Sequence, residues 1–160
     1  MNDNNMIDTQ LGILIDILNI KMQLLESVLN ISENQEYLIM QPPSDERTEM
    51  FKEMTEEKQR HIDLVLESDE RFQSIFDKIK DIVEANGAEY KPRLLEMQDL
   101  ITVILETDVK IRAQEQKNRD VLHNQMLSMQ MKKPPPNDIT ITGEAKNKVI
   151  EKYKYFKKDN

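Results

Sequence analysis

The chain has 160 residues, with 38% hydrophobic and 32% charged residues, a formal net charge of −8, no cysteine and three glycines. That length suits one compact domain, or one bundle with a tail, and the charge-rich balance suits long helices whose outer faces stay in water. Three glycines (Gly12, Gly87 and Gly143) leave little material for tight strand corners. The absence of cysteine excludes disulfides and thiolate chemistry, and the negative charge opposes binding to phosphate backbones or anionic membranes.

The first element is expected from about Ile7 to Met40, ended by Pro42-Pro43, which cannot continue a helix. Between Leu11 and Ile31, 13 of 21 residues are apolar, in two stripes. One is Leu11, Leu14, Leu18, Met22, Leu25 and Leu29; the other is Ile13, Ile17, Ile20, Leu24, Val28 and Ile31. Residues 11 and 13 lie about 200° apart on a helix, so the stripes face nearly opposite ways. A helix apolar on two sides must be covered on two sides. Either two partner helices do this within the monomer, or one face is left for a second subunit or a client.

The second element starts at Ser44 or Asp45, both good N-caps, and runs to about Asn86, where Gly87 supplies a left-handed stop. Its seam is Phe51, Met54, Val65, Phe72, Ile75, Ile79 and Ile82, interrupted by Lys58, His61 and Ser68. The third begins near Pro92, suited to a first helical turn, and runs to about Met131. Its seam is Leu94, Met97, Ile101, Ile104, Ile111, Leu122 and Met129, interrupted by Asp108, Glu115 and Asn118. Polar residues in a seam set register at a cost in stability, or line a polar groove. Short connections make the three helices antiparallel neighbours, in an elongated up-down-up bundle or helical hairpin spanning residues 1–133.

Residues 134–143 open with Pro134-Pro135-Pro136, a stiff linker. Residues 144–160 form a basic amphipathic tail of net charge +3 against −11 for the rest, with Ala145, Val149, Ile150, Tyr153 and Phe156 on one side of a short helix. Such a tail folds back on the acidic body, meets a membrane surface or docks a partner.

Tests for chemistry come out negative. The di-iron spacing Glu-x-x-His is absent, because Lys58 precedes His61 and Asp120 precedes His123. Glu57 and His61 stand one turn apart without further zinc ligands nearby. Glycine-rich phosphate loops and nucleophile elbows are missing too. The expectation is a binding protein, not an enzyme, with no cofactor or metal. The N-terminus lacks a signal peptide's basic stretch and no run of ~20 apolar residues could span a bilayer, so a cytoplasmic protein is expected. Ten methionines, with Met126, Met129 and Met131 clustered, fill core gaps or make an adaptable binding surface.

The segment Met54-Thr-Glu-Glu-Lys-Gln-Arg-His-Ile-Asp-Leu-Val-Leu, followed by Ser68-Asp-Glu-Arg-Phe72, resembles the second helix of flagellar export chaperones of the FlgN/FliT kind. Ile111-Arg-Ala-Gln-Glu-Gln-Lys-Asn118 is similar to their third-helix pattern, and Ala145 to Phe156, with Tyr153 and Tyr155, to their C-terminal segment. The resemblance implies an all-α chaperone of bacterial flagellum biogenesis and type III protein export. Its partners would be the flagellar export apparatus and the C-terminal amphipathic helix of a late flagellar substrate (a hook–filament junction, cap or filament protein). The client contacts then expected are Ile13, Ile17, Ile20 and Leu24 on the first helix, Met126, Met129 and Met131 on the third, and Val149, Ile150, Tyr153 and Phe156 in the tail. The competing expectation is a structural or regulatory coiled-coil homodimer that uses the spare apolar face on itself.

Overall fold

Three uninterrupted helices and two short connections make up residues 3–130, the part of the chain that the computed structural model describes. They are α1 (Asp3–Ile39), α2 (Asp45–Ala85) and α3 (Lys91–Gln130), each about 55–60 Å long at 1.5 Å per residue. The described part is all-helical, and none of its helices is long and apolar enough to cross a membrane. The linker and tail expected at 134–143 and 144–160 lie outside the described residues.

Local chemistry accounts for the ends. Ser44 adopts extended backbone (φ −159°, ψ 163°) and its hydroxyl accepts from the Arg47 amide, satisfying one of the four orphan donors of α2. Asp45 and Glu46 in the first turn complement the helix dipole. A Ser44→Ala variant is expected to lose about 1 kcal/mol, measurable as a shift in urea midpoint at unchanged slope. At the other end, Asn86, with φ −126°, is the cap: its backbone N–H reaches the Ile82 and Val83 carbonyls and its side chain donates to Ile82 at 2.9 Å. The left-handed stop expected at Gly87 is not used: Gly87 lies outside the left-handed region, and the N–H groups of Asn86 bond the Ile82 and Val83 carbonyls instead.

Side-chain pairing defines the topology. Across α1 and α2, Lys21–Asp69, Ser32–Lys58 and Gln35–Thr55 have residue numbers that add to 90, the mark of an antiparallel pair in constant register. Across α1 and α3, Asp8–Arg93, Met22–Thr107, Ser32–Glu115 and Ile39–Gln125 differ by 83 to 86, the mark of a parallel pair. Consecutive helices thus run up, down and up, but α1 is the spine. Both α2 and α3 lie along it, and their own backbones do not come together.

That arrangement answers what covers the two stripes of α1. Neighbouring residues reach different helices: Lys21 and Gln35 meet α2, while Met22 and Glu36 meet α3. Consecutive positions differ by about 100°, so the partners occupy flanks roughly 100° apart rather than opposite faces. Leu11, Leu14, Leu18 and Leu25 of one stripe are buried, as are Ile17, Val28 and Ile31, half of the other.

The core comes in two pieces. The larger joins Leu11, Leu14, Leu25 and Val28 of α1 to Ile62, Val65, Ile79 and Val83 of α2 and to Met97, Ile104 and Ile111 of α3. Phe72 and Phe76 stack against its edge with centroids 5.9 Å apart. The smaller gathers Leu38, Ile39, Phe51 and Leu122, backed by Met54 and Val121, at the end of the bundle that holds the α1–α2 connection.

Candidate functional site

Between the two apolar clusters lies a layer made almost wholly of polar side chains. Ser32 and Gln35 enter it from α1, Thr55 and Lys58 from α2, and Glu115 and Asn118 from α3, all buried. The Lys58 ammonium donates to Glu115 Oε1 at 2.6 Å, to Gln35 Oε1 at 2.5 Å and to Ser32 Oγ at 3.3 Å. Ser32 donates to the same carboxylate oxygen at 2.6 Å, Gln35 to Thr55 at 2.8 Å, and Asn118 to the Ser32 carbonyl at 2.8 Å. Lys58 and Glu115 are each 2% exposed. Burial pulls the Lys58 ammonium below its ordinary pKa; the charge of Glu115 and its hydrogen bond oppose that. Glu115 Oε2 is buried with no hydrogen-bond partner among the described residues.

The seam polarity read from the sequence is therefore real at Lys58, Ser68, Asp108, Glu115 and Asn118, all buried. His61 differs. It is half-buried, with Nδ1 2.8 Å from the Glu57 carbonyl of its own helix. Among the described residues, no cluster of three or more His, Asp or Glu side chains is arranged to hold a metal ion. The partners of the polar layer, Ser32, Gln35 and Thr55, carried no signal in the sequence. Only the register between helices brings them to Lys58.

Outside the layer, a ring of polar contacts ties α1 to α3 at the same end. Glu36 accepts from Lys117 at 2.7 Å and from Gln114 at 3.0 Å, and those two bonds hold its carboxyl below the usual range. Arg47 donates to the Gln41 carbonyl and to Gln125 Oε1, while Gln125 donates to the Ile39 carbonyl at 2.6 Å. The Gln125 bond satisfies a carbonyl that the end of α1 leaves open, and Arg47 satisfies one in the connection.

Beyond them, at the tip, is an open cleft of about 560 Å³ lined by Met40, Gln41, Pro42 and Pro43 from the connection and by Val121, Asn124, Gln125, Ser128 and Met129 from α3. Exposed apolar side chains surround this end: Tyr37 is 73% exposed, Met40 66%, and Met50 and Leu127 48% each. Met54 and Met50 border a second, acidic hollow on α2 with Glu53, Glu56, Glu57 and Arg60.

The expected contact residues divide among these environments. Ile17 is 2% exposed and belongs to the main core; Ile13 and Leu24 are half-buried against that core. Ile20 alone of the four stands in solvent, at 48%. The stripe is not a continuous free face, because α2 lies along it. Met126 and Met129 are half-buried near the tip, and Met129 lines the cleft. Met131, Val149, Ile150, Tyr153 and Phe156 lie outside the described residues. Sequence reasoning reached one wall of the cleft, at Met129, and missed the other: Met40 read as the end of a helix and Pro42-Pro43 as its stop, and only the turn they build makes them a wall. In comparisons with protein families, curated proteins and solved structures, no family model, protein or structure matches this chain.

Proposed function

We propose that this protein binds an amphipathic helix of another protein and works as a chaperone of the flagellar export kind. The client helix would be the C-terminal segment of a late flagellar substrate, kept from premature assembly and passed to the export apparatus in the cytoplasm. The observation that carries the reading is the concentration of exposed apolar and methionine side chains around the Met40–Met129 cleft at one end of the bundle. Methionine adapts its shape to different apolar partners, which suits a surface that must hold a client and release it. A helix can lay its apolar face in such a cleft while Gln41, Asn124, Gln125 and Ser128 satisfy its polar edge. The flagellar part of the reading rests on the resemblance of Met54–Phe72 and Ile111–Asn118 to that family.

Co-expression with late flagellar substrates tests it. The expected result is a soluble complex that depends on the substrate's C-terminal helix and weakens at least about tenfold in Met40→Glu or Met129→Glu, since each puts a charge into an apolar contact. Retention of full affinity by both variants would remove the cleft from the site. Failure of every such substrate to bind would remove the flagellar reading.

One observation favours a second reading, the homodimer. Leu95, Val103, Leu105 and Val109 of α3 are exposed, Val109 at 65%, and Leu95, Thr102 and Val109 stand at heptad spacing on the face turned away from the core. A dimer in light scattering that Val109→Glu dissociates would support it.

A further inference from the structure

The division of the core gives the bundle a built-in point of opening. Leu38, Ile39, Phe51 and Leu122 share no apolar cluster with the rest of the core, and what joins the two clusters is the layer of Ser32, Gln35, Thr55, Lys58, Glu115 and Asn118. An apolar layer resists opening through the surface it would expose to water. A layer holding an ion pair behaves differently, because separated charges recover their hydration and much of the cost of burying them is returned. The helix-to-helix links at this point are also exchangeable for water: hydrogen bonds and one ion pair connect α2 to α3, whose backbones do not meet.

We propose that the polar layer interrupts folding cooperativity, so that the distal end of the bundle opens as one unit while the main core stays folded. The unit comprises the last turns of α1, the connection 40–44, the first turns of α2 and the last turns of α3. It carries the cleft, so opening widens a groove there for an incoming helix. The opening itself is independent of which partner binds.

Native-state hydrogen exchange on the full chain, at rising low concentrations of urea, tests this. Amides of Leu38, Ile39, Phe51, Met54, Val121 and Leu122 are expected to exchange with protection factors at least roughly tenfold below those of Leu14, Leu25, Ile62, Val65, Ile104 and Ile111. They should also share one urea dependence, the signature of a concerted opening. Protection that instead declines residue by residue toward each helix end, without a shared dependence, is simple fraying and overturns the proposal. Equal protection in both groups overturns it as well. A second variant reads the cause: in Ser32→Ala/Gln35→Leu/Lys58→Met/Glu115→Leu the layer is apolar, and distal protection should rise to within about threefold of the main core. An unchanged gap in a folded variant would overturn the role of the layer. Should that variant not fold, Leu122→Ala serves. It should lower distal protection roughly tenfold while leaving main-core values within about twofold, and an equal fall in both groups would mean one cooperative unit.

Discussion

Lys58→Met is expected to destabilise the fold by about 3–5 kcal/mol, the largest effect of any single substitution in the polar layer. The methionine fills nearly the same space, but it leaves the Glu115 carboxylate buried without its cation and the Gln35 carbonyl without its donor. Removing one member of a buried pair costs that much because the remaining charge keeps its desolvation penalty. In a chain of this size the melting temperature should fall on the order of 10 °C. The double variant Lys58→Met/Glu115→Leu removes both charges and should recover roughly half of the loss or more, since apolar replacements of a buried pair are often neutral or stabilising. Urea denaturation of the wild type, both single variants and the double variant gives the coupling energy directly. A Lys58→Met cost below about 1 kcal/mol would mean that the pair is open to water and behaves like a surface bridge.

The second large effect separates two residues that look equivalent in the sequence. Ile17 and Ile20 belong to one apolar stripe, three positions apart, yet Ile17 is 2% exposed in the main core and Ile20 is 48% exposed. Ile17→Ala should cost about 2–5 kcal/mol, from lost transfer free energy plus the cavity left behind. Ile20→Ala should stay within about 0.5 kcal/mol. Equal, small effects would mean that α2 does not cover this flank of α1 in solution. The difference also sorts the contact residues expected on α1. A client contact at Ile20 can be tested by substitution without losing the fold, whereas a loss of binding in Ile17→Ala would report on stability first.

Much of the fold is legible in the sequence because its determinants are local. Pro42-Pro43 stops α1 through a missing donor and a ring clash. Ser44 caps α2, and Pro92 sits in the first turn of α3, each through chemistry confined to one turn of chain. Gly87 shows the limit even there: glycine favours a left-handed stop, but Asn86 one residue earlier closes the helix with its own amide. Lys58, Glu115 and Asn118 stood out because polar residues interrupted otherwise apolar seams.

The candidate site was far less legible. The cleft is built from a turn and the far end of α3, more than 75 positions apart, and nothing in either stretch points to the other. The two stripes of α1 suggested opposite partners, whereas α2 and α3 lie on adjacent flanks: a stripe records burial without saying which helix supplies it, and the positions that meet α2 and α3 (Lys21 and Met22, Gln35 and Glu36) are one residue, about 100°, apart. Sequence therefore determined that the chain makes three long helices, where α1 and α2 end, and most of the polar seam positions (His61 excepted), all set by periodicity and capping within a few residues. Only the tertiary structure decided that α1 is the spine, that α2 and α3 pack on it without their backbones meeting, and that Lys58 meets Glu115, Gln35 and Ser32. Those facts depend on the register between helices, which is fixed by the summed fit of many side chains far apart in the chain and by no single one of them.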